Sequence, residues 1–231
     1  MRTAKIATGI SHSQAIDSLL QAHRKLRDQS SFKLLDREWT LLPGVYAPNL
    51  TTCAALYEAW LPIVAGTRFC DMGCGTGYLS VLAAEKGANV TAVDLNKDAA
   101  KNTVLNVDRY GVSDTVEVLC GDLFEPIPKE RTFDVVFWNS NFVNRPNAGD
   151  FLDSAFFDPG YEVHSRFFAG VGERLTDSGQ AFLGFSSLGD HETLSKVAAA
   201  SGWRVETRRV AVGHYSAGKL RYELLELQRL P

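Results

Sequence analysis

Phe69-Cys70-Asp71-Met72-Gly73-Cys74-Gly75-Thr76-Gly77 decides how this chain is read. The stretch begins apolar, turns on three glycines and runs into Tyr78-Leu79-Ser80-Val81-Leu82-Ala83-Ala84-Glu85-Lys86. The pattern predicts a buried strand, a glycine hinge and a helix. Glycine adopts positive φ without steric cost and lets a ligand approach the main chain. The helix start adds unpaired N–H groups. A nucleotide-like cofactor is therefore expected against Gly73, Gly75 and Gly77. A dinucleotide turn would read G-x-G-x-x-G around a pyrophosphate. Here Tyr78 stands where the third glycine of that pattern would fall, and Asp71 ends the strand. A carboxylate there repels a pyrophosphate and attracts an ammonium.

S-adenosylmethionine (SAM) carries an ammonium and a sulfonium and no phosphate. The stretch resembles motif I of the class I SAM-dependent methyltransferases. The resemblance implies an α/β, Rossmann-like seven-stranded sheet, mostly parallel with an antiparallel last strand. Helices would cover both faces. The alternative is an ordinary strand–helix turn in an unrelated α/β enzyme, since such turns recur across folds.

The length of 231 residues suits one α/β domain with a modest extension. Residues 1–43 read as a helical extension with a short hairpin, and residues 44–231 as the cofactor domain. The formal net charge of −3 gives no global drive toward nucleic acid, which is not expected as a partner. Arg2 and Lys5 precede no apolar signal region, and no apolar run approaches a membrane span. Cys53, Cys70, Cys74 and Cys120 form no metal or disulfide pattern. A cytoplasmic protein with reduced thiols and no metal site is expected. The oligomeric state is left open.

Ile16, Leu19, Leu20, His23 and Leu26 recur at helical spacing, predicting a helix over Ser13–Asp28 with Ser13 as N-cap. Arg24, Lys25 and Arg27 complement its C-terminal dipole. Phe32 to Leu42 reads as two short strands, and Thr51 to Trp60 as an amphipathic helix. Leu42-Pro43-Gly44-Val45-Tyr46 before that helix resembles the segment preceding motif I in the small-domain methyltransferases. That branch includes release-factor glutamine and rRNA guanine-N2 methyltransferases. The resemblance implies that Tyr46, Pro48 and Thr52 line the site; a plain hairpin is the alternative.

Asn89 to Leu95 predicts a strand with Asp94 at its tip, 23 residues beyond Asp71. A carboxylate about 20 residues after a glycine turn is placed for a ribose diol. Leu95 follows it against the cofactor. Alternatively, Asp94 or Asn96 caps the helix Lys97–Tyr110. The third strand, Thr115–Cys120, ends in Gly121-Asp122-Leu123. The resemblance implies that Asp122, an acceptor-only carboxylate, meets the adenine amine and that Leu123 packs near the ring. Read alone, Gly-Asp is a turn.

The fourth strand, Phe133–Trp138, runs into Asn139-Ser140-Asn141-Phe142. Small-domain N-methyltransferases carry Asn-Pro-Pro-aromatic here. By resemblance, Asn139 orients the target NH2 and Phe142 packs beside it. Ser140 and Asn141 replace both prolines, and losing two fixed φ angles is expected to loosen the loop. Read alone, it is a polar turn. Asp150, Asp153 and Asp158 alternate with Phe151, Phe156, Phe157 and Tyr161. The resemblance implies a lid here, whose acids and rings would suit a cationic acceptor; the rings read equally as core. A helix over Glu162–Leu175, a strand over Gly179–Phe185 and a helix over Glu192–Ala200 follow. Strands over Trp203–Val212 and Leu220–Leu227 close the sheet. The turn between them, Gly213 to Gly218, is expected at the ligand edge. His214 and Tyr215 are then candidates for acceptor contact or base, with His164 and His191 behind them.

The combined expectation is a SAM-dependent enzyme methylating a nitrogen of a small molecule or peptide, chiefly by proximity and alignment. The rivals are an O-methyltransferase using His214, an NAD(P)-dependent oxidoreductase and a non-catalytic SAM-binding module.

Overall fold

The computed structural model describes residues 11–26, 28–146, 149, 151–215 and 218–231. Readings that fall on Arg2, Lys5, Arg27, Asp150, Ser216, Ala217 and the Phe151 side chain lie outside the described residues.

Helix α1 (His12–Lys25) leads into the hairpin β1 (Ser31–Leu34) and β2 (Arg37–Thr40), then α2 (Cys53–Trp60). An alternation follows: β3 (Arg68–Met72), α3 (Tyr78–Glu85), β4 (Asn89–Asp94), α4 (Lys97–Arg109), β5 (Val116–Cys120) and β6 (Phe133–Asn139). Next come α5 (Phe151–Ser154), α6 (Glu162–Val171), β7 (Leu175–Ser186) and α7 (His191–Ala200). The antiparallel pair β8 (Trp203–Tyr215) and β9 (Gly218–Arg229) completes the chain.

The seven-stranded sheet runs β5-β4-β3-β6-β7-β9-β8. Neighbours from β5 to β7 are parallel, and β9 is antiparallel to both β7 and β8. This is the Rossmann-like sheet the sequence predicts. Alternating side chains split to opposite faces of a strand. Phe69, Val90, Ala92, Val135 and Phe137 join one buried cluster with α1, the hairpin and α3. Cys70, Met72, Val93, Val136 and Trp138 join a second with Phe167, Phe168 and Leu194. Cover on both faces explains why the central strands read as nearly continuous apolar runs. Fully burying a phenylalanine of this kind contributes about 1.5–3 kcal/mol.

The hairpin is tied to the glycine turn by α4. Asn106 Oδ1 accepts from Thr40 N–H at 2.8 Å, and its Nδ2 donates to Thr76 O at 2.8 Å. Several boundaries differ from the sequence expectation. Ser11, not Ser13, caps α1, in a reciprocal capping box with Gln14. The helix expected to reach Leu175 stops at Val171, because a 3-10 turn over Gly172–Arg174 delivers the chain to β7. The expected turn at 213–218 is mostly strand, because pairing continues to His214↔Lys219 and Tyr215↔Gly218. Among the described residues, no helix is long and apolar enough to cross a membrane.

Candidate active site

Strand order reverses between β3 and β6, and open α/β sheets bind ligands at the carboxyl ends of strands beside such a reversal. A cleft of about 400 Å³ opens there. Gly73, Gly75 and Gly77 all adopt left-handed φ, at +64°, +58° and +74°. A Cβ on Gly73 would stand 3.3 Å from Trp138 Nε1. Gly77 does not face the cleft. It is the hinge that turns the chain into α3, packed on Thr103.

Asp71 ends β3, is buried and lines the cleft. Burial raises its carboxyl to about 7; the Ser80 hydroxyl, donating at 2.6 Å, opposes that, and the neighbouring Asp94 charge adds to it. Asp94 accepts the Gly75 N–H on Oδ2 and the Asn96 N–H on Oδ1, both at 2.9 Å. Its carboxyl is also raised by burial. The helix cap proper is Asn96, which accepts from Asp98 N–H. Asp94 therefore braces the glycine turn while facing the cleft. Asp122 lies at the same edge, paired with the Arg166 guanidinium. Leu95 and Leu123 line the cleft beside them. Three strand tips thus bring three carboxylates to one crevice.

Asn139 ends β6 over Gly184, its register partner in β7. A Cβ on Gly184 would come within 2.8 Å of both Asn139 Oδ1 and the Tyr57 ring. The loop after it is not loose, contrary to what the lost prolines suggested. Ser140 N–H and Oγ both donate to Gly184 O, and Asn141 Nδ2 donates to Ser154 O and Phe157 O. Polar cross-links do here what fixed φ angles would do.

Tyr46, Pro48 and Phe142 line the cleft as expected, with Thr51 in place of Thr52. Thr52 instead pins β8: its N–H donates to His214 O, and its Oγ1 accepts from His214 N–H. Three expected acceptor contacts do not line the cleft. His214 is exposed, and only its main chain reaches Thr52. Tyr215 is buried in a bridge with Thr51. Tyr161 is fully buried beneath the loop. His164 is buried behind Trp138, with Nδ1 2.7 Å from Asp158, and His191 pairs with Glu223. The lid is aromatic, since Phe156 and Phe157 line the cleft. Two of its acids are already engaged: Arg24 pairs with Asp153, and Asp158 holds His164 and two backbone N–H groups. Free negative charge for a cationic acceptor is therefore not offered by Asp153 or Asp158.

Trp138, Arg166, Thr76, Tyr57, Ser186 and Tyr222 also line the cleft and were not expected there from the sequence. Thr76, inside the glycine stretch, carried a usable signal. The others are placed by packing between distant elements. Thr76 Oγ1 is buried without a hydrogen-bond partner. An orphaned hydroxyl beside a glycine turn and buried carboxylates fits a cofactor that brings both donors and acceptors. Among the described residues, no group of three or more His, Cys, Asp or Glu side chains is placed to hold a metal ion.

The strand order and the strand-tip cleft are those of an open α/β sheet that takes a ligand at a topological switch point. The methyltransferase-domain family model matches residues 69–156 of this chain. Over 106 residues the chain is 34% identical to tRNA1(Val) (adenine(37)-N6)-methyltransferase of Shewanella halifaxensis, covering 44% of this chain and 43% of the relative. Over 81 residues it is 38% identical to the release factor glutamine methyltransferase of Gloeobacter violaceus, covering 34% of this chain and 28% of the relative. The chain thus spans less than half the length of these curated relatives. Among solved structures, a T. thermophilus 16S rRNA N2 methyltransferase in complex with AdoMet and guanosine superposes with a TM-score of 0.60 at 21% identity. The match covers 86% of this chain and 49% of that one. A ribosomal protein L11 methylase from Lactobacillus delbrueckii gives 0.58 at 16% identity, covering 83% and 84%. These two likenesses establish the fold.

Proposed function

We propose that the protein is a SAM-dependent methyltransferase that transfers a methyl group to nitrogen. The observation that carries this reading is Asn139, whose amide stands at the tip of β6 in the cleft shared with Asp71, Asp94 and Asp122. The cofactor supplies a methyl group already activated by a sulfonium. Everything else is alignment by the protein. Asp71 would face the ammonium, and the remaining lone pairs of Asp94 the ribose hydroxyls. Asp122, steadied by Arg166, would accept from the adenine amine. Asn139 Oδ1 and the Ser140 carbonyl would accept the two N–H bonds of the target, with Phe142 along its plane.

The acceptor end is lined by Tyr46, Phe142, Phe156 and Leu19 of α1. A large acceptor would have to present one protruding group. Relatives named for tRNA, for a release factor and for ribosomal proteins favour such a group on a macromolecule. The acidic net charge therefore does not set nucleic acid aside. A small nitrogenous acceptor is the second reading, favoured by the apolar lining that Leu19 of α1 adds to the cleft.

Isothermal titration with SAM, S-adenosylhomocysteine and NADH tests the cofactor. Radiolabelled methyl transfer to RNA, protein and small-molecule fractions tests the acceptor. Binding of NADH with no affinity for either sulfur compound would overturn the proposal. Label confined to the small-molecule fraction would select the second reading. Asn139→Ala is expected to keep S-adenosylhomocysteine affinity and lose turnover by about a hundredfold, the scale of a misplaced reactant. Unchanged turnover would remove Asn139 from the reaction.

A further inference from the structure

Asn141 occupies a place where the resemblance calls for proline, and it is 9% exposed. Its Nδ2 donates to Ser154 O and to Phe157 O, each at 3.2 Å. Its Oδ1 is buried and meets no donor. An unmade bond on a buried oxygen is costly, so the nitrogen end sets the orientation of this amide. The next residues repeat the attachment. Val143 N–H donates to Phe156 O at 2.8 Å, Asp158 N–H donates to Val143 O at 2.9 Å, and Val143 bridges Phe157. Ser154, Phe156 and Phe157 line the same cleft as Asn139.

We propose that Asn141 is a positioning residue that couples the acceptor loop to the 154–157 segment. Proline would hold its own φ whatever surrounds it. Asparagine has a free φ, and its side chain is held by two carbonyls of the covering segment. Beyond the ties of Ser140 to Gly184 and of Phe142 to Tyr161, the loop bearing Asn139 is then held more firmly when that segment is closed than when it lifts. The acceptor site and its cover assemble together, and this gives the polar replacement of both prolines a purpose. The inference rests on the reading of Asn139 as the group that orients the acceptor.

Backbone amide exchange on the full chain tests it, followed in peptides spanning 139–146 and 151–158. Asn141→Leu keeps the bulk and removes the donor; Asn141→Ala replaces it if the leucine variant does not fold. Either is expected to speed exchange in both peptides about tenfold, the worth of one or two hydrogen bonds. A β4 peptide should be unchanged, showing that the fold persists. Asn141→Pro is expected to speed exchange in 151–158 only, since proline stiffens its own segment. S-adenosylhomocysteine should slow exchange in both peptides of the natural protein, but only in 151–158 of the leucine variant. Exchange at 139–146 unaffected by Asn141→Leu, or loosened equally by Asn141→Pro, would overturn the coupling. No response to S-adenosylhomocysteine, with the ligand-free differences present, would fault the cofactor reading and leave the coupling standing.

Discussion

The Tyr161 hydroxyl donates to the main-chain oxygen of Phe142 at 2.7 Å, and the same oxygen of Tyr161 accepts from Asp190 N–H at 2.8 Å. One buried side chain thus ties the acceptor loop to the start of α7. Tyr161 itself sits at φ +56°, a conformation that only a well-held residue keeps.

Tyr161→Phe removes both bonds and leaves a carbonyl and an N–H without their partner. A loss of about 1–3 kcal/mol is expected, read by chemical denaturation. Turnover should fall more than S-adenosylhomocysteine affinity, because the cofactor carboxylates lie on other strands. Equal stability in the variant would mean that the loop is held elsewhere.

Asp71 makes the protein pH-sensitive with a definite sign. Its folded carboxyl titrates at about 7, against a usual value of 3.8. The folded state therefore binds this proton more tightly than the unfolded chain does. Stability without ligand should fall as pH rises from about 4 through 7, by up to roughly 4 kcal/mol from this group. Burial raises the Asp94 carboxyl too, which acts in the same direction. Asp71→Asn should flatten the slope in urea unfolding at pH 5 and pH 8. Affinity for S-adenosylhomocysteine, whose ammonium needs the ionised carboxylate, should rise over the same interval. Affinity independent of pH would separate Asp71 from the ammonium.

Gly77→Ala should be destabilising by about 1–3 kcal/mol, the usual cost of forcing extra volume into a packed site. The added Cβ would meet Thr103 Cγ2 at 2.6 Å and Thr103 Cα at 2.9 Å, with φ at +74°. A melting curve matching that of the natural protein would contradict this account of the hinge.

His214→Ala is expected to change stability by less than about 0.5 kcal/mol, as for an ordinary surface site. Its links to Thr52 run through the main chain and survive the substitution. The pH–rate profile should keep its acidic limb, the side on which an essential base is lost by protonation. Loss of that limb would return His214 to the reaction and revive a hydroxyl acceptor.

The sequence by itself determined the glycine hinge, the strand tips at Asp71, Asp94 and Asp122, the position of Asn139 and the order of the sheet elements. Those are local matters: φ limits, apolar alternation and helix caps act within a few residues of chain. Only the tertiary structure decided that Arg166 steadies Asp122, that Leu19 of α1 lines the cleft, that Asp153 and Asp158 are spent on Arg24 and His164, and that His214 is exposed. The partners in such contacts come from separate elements, and the stacking of those elements on the two faces of the sheet sets which side chains meet. No local period in the sequence carries that information.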